Sequence, residues 1–196
     1  ASYNLTVAGD ASVTGTLTGN ASAISLGSLT IADGGTYNAT SGTTTITSET
    51  SHYAWNNGET DGTAFVHNNG NVLFTVGDHS KIKEDTFYDL TLNMGDISYE
   101  AQWEDASGDG DLTVLNDLTI TRGELEPITA GDTLTVYGLT TLDAEGRFNA
   151  DNNQTGTVTH HGLVTIAGRY YTSSGTNNFN GGVRNLGTLT SNDTLT

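Results

Sequence analysis

Leu112-Thr113-Val114, Leu134-Thr135-Val136 and Thr157-Val158-Thr159 are three short strand-forming runs that recur at one interval. Val114, Val136 and Val158 lie 22 residues apart, and so do Ile120, Leu142, Val164 and Leu186. Gly146-Arg147-Phe148 returns 22 residues later as Gly168-Arg169-Tyr170. Within the runs, and in Leu118-Thr119-Ile120, apolar residues alternate with Thr, the period of a strand with one buried face. A fixed step of roughly 20 to 30 residues between such runs marks a solenoid. The reading is an all-β solenoid of about 22 residues per coil, with Leu and Val piled inward, Thr outward, and Phe148 under Tyr170 as an aromatic ladder. Roughly nine such coils, stacked about 4.8 Å apart, give a rod on the order of 40 Å long.

Outward from this stretch the pattern weakens. Residues 1–49 are rich in Thr, Gly, Ala and Ser, and Leu5, Val7, Val13, Leu17, Leu29 and Ile31 alternate with polar neighbours. They read as thin N-terminal coils, with Val7 to Leu29 again a step of 22 and Thr43–Thr47 a strand with one inward residue. Residues 50–110 break the step and read as irregular strands and loops, an insertion in the solenoid. There Asn68-Asn69-Gly70-Asn71 makes a turn between Phe65-Val66-His67 and Val72–Val76. Phe87–Leu92 is the next strand, and Asn93–Asp111 a longer excursion holding Tyr99 and Trp103. Residues 111–196 are the regular coils, and the expectation is one continuous solenoid that goes on past 196.

Composition agrees. The apolar fraction is 34%, lean for a compact globule but enough for a thin stacked core. Gly counts 25 and Pro one, which suits tight corners between short strands. The net charge of −17 repels nucleic acid and anionic membrane, and no stretch is long and apolar enough for a membrane-spanning helix. There is no Cys and hence no disulfide. The start, Ala1–Val7, has no basic patch or apolar signal core. After a removed initiator Met it implies no export by a cleaved signal; after a cut it implies an internal piece.

The succession Trp55-Asn56-Asn57-Gly58, Phe65–Phe74, Thr86–Asn93 and Leu112–Leu125 resembles the β-solenoid repeats of structural proteins of tailed bacteriophages and of large bacterial surface proteins. The opening Tyr3–Asp10 is similar to the start of phage fibre or appendage proteins. The resemblance covers about residues 1–190. It implies a right-handed parallel β-helix displayed on a particle or cell surface, often in an oligomer, and it carries over no catalytic residue.

Few constellations suggest chemistry. Asp105-Ala106-Ser107-Gly108-Asp109-Gly110-Asp111 begins as a Ca²⁺ loop does, with oxygen ligands at alternate positions and a Gly in the sixth, but Asn116 stands where the closing bidentate Glu belongs. A plain acidic turn explains the same letters. His160 and His161 are strand neighbours and point to opposite faces, which disfavours a shared zinc; His52, His67 and His79 have no ligand spacing. A polysaccharide-cleaving site needs two carboxylates about 5 to 10 Å apart, for which Glu124 with Asp143 or Glu145 across adjacent coils is the candidate. Solvent-facing corners at Glu124-Leu125-Glu126 and Asp143-Ala144-Glu145 are the default reading of these acids, and the motifs expected of pectinase-like β-helices are missing. Tyr53, Trp55, Trp103, Tyr170 and Tyr171 are either contact groups for sugar or protein, or caps on the thin core. No catalytic, cofactor or metal residue is assigned.

The leading expectation is a virion structural protein of a tailed phage, part of a fibre, spike or capsid appendage, acting mechanically and by binding without catalysis. Its partners would be copies of itself in a trimer, other virion proteins, and a host surface glycan or protein, at the virion surface. The alternatives are a segment of a bacterial surface adhesin, extracellular, and a β-helix enzyme acting on polysaccharide.

Overall fold

Short runs of alternating apolar and β-branched residues cannot bury a face alone, and here each is stacked on the equivalent run of the next coil. The computed structural model describes residues 4–58, 64–104, 110–127, 131–149 and 156–191, and these contain strands but no helix. The first coil comprises β1 (Leu5–Val7), β2 (Ala11–Val13) and β3 (Thr16–Asn20). The second comprises β4 (Ile24–Leu26), β5 (Leu29–Ile31) and β6 (Thr36–Thr40), and the third β7 (Thr43–Ile46), β8 (Tyr53–Asn57) and β9 (Phe65–Val66). The fourth has β10 (Asn71–Phe74), β11 (Ser80–Lys83) and β12 (Asp85–Phe87); the fifth has β13 (Asp89–Asn93), β14 (Glu100–Glu104) and β15 (Asp111–Val114). In the sixth, β16 (Leu118–Pro127) turns a corner without a break before β17 (Thr133–Val136), and in the seventh β18 (Thr140–Phe148) does the same before β19 (Thr157–His160). The eighth holds β20 (Val164–Ile166), β21 (Arg169–Tyr171) and β22 (Asn177–Phe179), and β23 (Val183–Asn185) and β24 (Thr188–Thr190) belong to a ninth.

All the ladders between coils are parallel, and they form three columns. The first runs β1-β4-β7-β10-β13-β16-β18-β20-β23, and the second runs β2-β5-β8-β11-β14-β16-β18-β21-β24; β16 and β18 join both into one sheet. The third column is two sheets, β3-β6-β9 and β12-β15-β17-β19-β22. The chain is therefore a parallel β-solenoid. The described residues of the stretch 50–110, where the sequence step is lost, are wound into the same sheet through β8, β10, β11, β13 and β14. What varies there is the length of the corners.

That variation corrects part of the sequence-derived stacking. Eight steps carry the first column from Leu5 to Val183, a mean of about 22 residues, but single steps range from 18 (Val72 to Leu90) to 28 (Leu90 to Leu118). Val114 lies under Val136 as expected, whereas Val136 pairs with His160 and Val158 stacks on Leu134. Ile120 lies under Leu142, but Leu142 pairs with Ile166, Val164 sits on Thr140, and Leu186 lies beyond β23 with 62% exposure. Val7 pairs with Leu26, and Leu29 with Ala11. The cause is physical: corners differ in length by odd as well as even numbers of residues, so that single steps run 19 from Val7 to Leu26 and 24 from Val136 to His160, and each strand then sets its own inward face by alternation. Phe148 and Tyr170 do stack, with ring centroids 4.6 Å apart.

The core is a narrow stripe of Leu, Ile and Val, thickened by aromatics where the third column is interrupted between β9 and β12. There Trp55 packs on Phe65 and Phe87 at 4.7 and 5.2 Å, and Phe65 on Phe87 at 5.6 Å, so side chains span the gap in the hydrogen-bond ladder. Thr44, the second inward residue of β7, accompanies Ile46 and meets the Tyr37 hydroxyl at 2.6 Å. At the first coil the stripe opens to solvent in a hollow of about 410 Å³ lined by Leu5, Val7, Ala11, Val13, Leu17 and Leu26.

Candidate functional site

The outer surface of the second column concentrates what this acidic chain has of positive charge. Of its six Lys and Arg residues, Lys81 and Lys83 lie on β11, Arg147 on β18 and Arg169 on β21, and Arg122 sits at the corner of β16 that leads into the column. Strand alternation turns these outward while Ile82, Trp103, Phe148 and Tyr170 face in. Parallel register then builds vertical files. Tyr53, Lys81, Gln102 and Glu126 lie one above another, and beside them run Glu100, Glu124, Arg147 and Arg169.

At the third to fifth coils this surface holds a notch of about 70 Å³ lined by His52, His79, Ser80, Lys81 and Gln102. Its entrance is a tight turn. Thr50 and Tyr53 exchange backbone hydrogen bonds of 2.8 and 2.9 Å, and the two residues between them, Ser51 and His52, are both left-handed with φ of 52° and 75°. Such turns normally use Asn and Gly; each non-glycine residue here costs about 1 kcal/mol. The Glu49 carboxylate accepts the His52 amide hydrogen, and the Lys81 amide donates to the His52 carbonyl at 2.6 Å. Lys81 Nζ lies 5.8 Å from the Tyr53 ring centroid. On the other wall His79 Nδ1 is 3.3 Å from Glu100 Oε2, and its ring meets Tyr99 edge-on at 5.7 Å. Gln102 Nε2 donates to Glu100 Oε2 at 3.2 Å and to Glu126 Oε1, which leaves its carbonyl oxygen as the amide's other polar group. Ser80 is 3% exposed and faces the core with Ile82, where its hydroxyl has no hydrogen-bond partner among the described residues.

Of the residues singled out by sequence, His52, Tyr53 and His79 stand at the notch, and the others fall elsewhere. Residues 105–109 of the acidic loop lie outside the described residues; Asp111 accepts from Thr133, and Asn116 donates to Asp89 at 2.8 Å. Glu124 is 2% exposed, shielded from any polysaccharide passing over the surface, and its register partner is Arg147. Glu145 instead faces Arg122, with Nε and Oε2 3.1 Å apart. Trp55, Trp103 and Tyr170 are core residues, whereas Tyr53 and Tyr171 are half-buried. His160 and His161 do point apart: His161 stacks on Tyr137 at 4.8 Å in the open, and His160 is buried. His160 Nε2 lies 3.0 Å from the Tyr170 hydroxyl and Nδ1 2.8 Å from Thr140 Oγ1. Burial pushes His160 down to about 3 and raises Tyr170 above its ordinary range, so this trio is a neutral, closed network. Among the described residues no three His, Asp or Glu side chains converge on a metal-binding point, and no helix is long and apolar enough to cross a membrane.

No family model, curated protein or solved structure matches this chain.

Sequence reasoning missed the notch because its walls come from three coils whose spacing departs from 22. The one local signal was Glu49-Thr50-Ser51-His52-Tyr53, a polar run too ordinary to single out.

Proposed function

We propose that this chain is a structural protein of a tailed-phage virion, part of a fibre, spike or capsid appendage, that acts as a stiff spacer and contact surface and not as an enzyme. The observation that carries this reading is the ladder from Leu5 to Val183, which joins nine coils through backbone hydrogen bonds over a dry core. Such a stack resists bending because every coil is bonded to both neighbours. Its Thr-rich outer face and net charge of −17 keep it solvated and discourage lateral sheet pairing. The same rod could serve a bacterial adhesin, and the resemblance in sequence extends to both. Symmetric virion positions favour a trimer, which sedimentation equilibrium reads directly as three times the 20.5 kDa chain mass.

The test is gold-labelled antibody against the chain, applied to phage particles and to intact cells from the source culture. Label on a fibre or capsid of tailed particles supports the proposal. Label confined to cell surfaces overturns it in favour of the adhesin.

A further inference from the structure

We propose that Asn180-Gly181, at the corner between β22 and β23, is a site of self-modification: the Gly181 amide nitrogen closes on the Asn180 carboxamide to a succinimide, His161 supplies a proton to the departing ammonia, and water opens the ring to aspartate or isoaspartate. The chain holds three Asn-Gly pairs, Asn57-Gly58, Asn69-Gly70 and Asn180-Gly181, and the fold treats them differently. In each, glycine leaves its nitrogen open to attack because no Cβ screens it. What then decides is whether that amide is held in a hydrogen bond, since closure needs the peptide plane to turn toward the side chain. The Gly58 amide donates to the Ile31 carbonyl at 2.7 Å, and the buried Asn57 carboxamide donates to Asp85 at 3.2 Å. The Gly70 amide donates to the His67 carbonyl at 3.0 Å, closing a turn in which Asn68 and Asn69 are both left-handed. In the corner after β22 the closing bond runs instead from the Gly182 amide to the Phe179 carbonyl, at 3.0 Å. Asn180 is thus the second residue of its turn, where Asn69 is the third, and the Gly181 amide has no partner among the described residues. Asn180 and Gly181 are both exposed.

The neighbouring groups suit the reaction. Asn180 Nδ2 lies 3.5 Å from His161 Nδ1, at the outer limit of a hydrogen bond, so the carboxamide is loosely held and its leaving nitrogen faces an imidazole. His161 is itself fixed, its ring stacked on Tyr137 at 4.8 Å with 3° between the planes. Attack forms the bond from the Gly181 nitrogen to Asn180 Cγ. The bond from Cγ to Nδ2 breaks, and Nδ2 leaves as ammonia with a proton from the imidazole, which recovers one from the Gly181 nitrogen through water. Water at Cγ then restores the ordinary linkage as aspartate. Water at the main-chain carbonyl carbon gives isoaspartate, in which the main chain runs through the side chain. The product alters the stack. Between Asn152 and Asn192 the sequence has no Asp or Glu, so the new carboxylate brings negative charge to a stretch that has none. Isoaspartate also adds a main-chain atom at a corner without spare room, where a Cβ on Gly181 would already lie 2.2 Å from the Gly162 carbonyl carbon. Val183, two residues on, carries the pairing of β23 with β20, so the modified chain holds its ninth coil less tightly.

Ageing the full chain at neutral pH and body temperature, folded and in guanidinium chloride, with peptide mapping by tandem mass spectrometry, tests this. Each conversion replaces ammonia by water and adds about 1 Da. In the folded chain Asn180 should convert about tenfold faster or more than Asn57 and Asn69, which must wait for local opening. In guanidinium chloride the three rates should converge. The product should hold isoaspartate, read by isoaspartyl methyltransferase labelling, together with aspartate. His161→Gln should slow conversion at Asn180 alone, and the β23 amides of the aged chain should exchange faster than those of Asn180→Gln aged beside it. Equal rates at the three pairs in the folded chain, or an Asn180 that stays unconverted there, would overturn the site. Aspartate without isoaspartate would overturn the succinimide, a rate unchanged by His161→Gln the proton donor, and equal exchange of β23 the effect on the ninth coil. None of these results bears on whether the rod belongs to a virion, which the labelling experiment decides.

Discussion

Gly168 shows how little room a corner of this solenoid leaves: a Cβ there would lie 2.0 Å from the carbonyl oxygen of Gly146, and one on Gly146 would lie 2.1 Å from that of Ile120. The corners stack carbonyl on Cα, so glycine is required for space. Gly168→Ala should lower stability by about 2–4 kcal/mol, whereas Gly77→Ala, with open space around it, should stay within about 0.5 kcal/mol; urea unfolding measures both. The repeat Gly146/Gly168 was legible in the sequence for this reason. The buried polar residues were not. Asp85 accepts hydrogen bonds from Trp55 Nε1 at 2.9 Å, Asn57 Nδ2 at 3.2 Å and the Thr86 amide at 2.8 Å, yet desolvation still pushes it up to about 7. Between its ordinary value near 3.8 and 7 the fold holds a proton that the unfolded chain has lost, so its contribution falls as pH rises through that window. Part of Asp85 keeps solvent contact, which trims the effect to roughly 1–2 kcal/mol. His160 has the opposite sign. Held neutral to about 3 against an ordinary 6.5, it gives stability that is full above 6.5 and lost as pH falls toward 3. The melting temperature of Asp85→Asn minus that of the native chain should therefore rise from pH 4 to 7, while the same difference for His160→Gln should fall from pH 3 to 6.5. Parallel curves would contradict both assignments.

Among elements, period-two alternation identified β15, β16, β17 and β19 from sequence, because Leu and Val in and Thr out is all a strand with one dry face requires. β8, β11 and β14 were hidden. Tyr53-Ala54-Trp55-Asn56-Asn57 and Ser80-Lys81-Ile82-Lys83 carry bulges or buried polar residues that blur the alternation, and β14 lies inside what the sequence offers as a long excursion, although its Trp103 is a core residue. The aromatic cluster at the break between β9 and β12 replaces backbone bonding by ring packing. Trp55→Leu should cost about 3 kcal/mol or more in urea unfolding, since it removes ring contacts on Phe65 and Phe87 and a hydrogen bond to Asp85. Hydrogen exchange should find the amides of β10, β13 and β16 protected to the level of global unfolding. Those of β23 and β24, at exposed coils, should exchange orders of magnitude faster. Uniform protection would contradict a stack that frays at exposed coils.

For the whole molecule, the sequence revealed a solenoid and its mean step because a rod adds coils that must each bury the same stripe. It did not reveal the register of each coil, since corners take up residues freely, odd or even in number, and each strand sets its own inward face afresh. The account depends on inward files that continue through those uneven corners, and the seventh coil separates the two readings most sharply. The chain has no cysteine, so paired cysteines report cleanly. Thr135 lies opposite Thr159, 24 residues on, while Thr157 lies opposite Thr133. Under mild oxidation Thr135→Cys with Thr159→Cys should close to a disulfide, as should Thr119→Cys with Thr141→Cys, whereas Thr135→Cys with Thr157→Cys should stay reduced because its Cα separation exceeds about 7 Å. Closure of the 22-residue pair in place of the 24-residue pair, or closure of neither while the Thr119 and Thr141 pair forms, would contradict the stacking on which the rod rests.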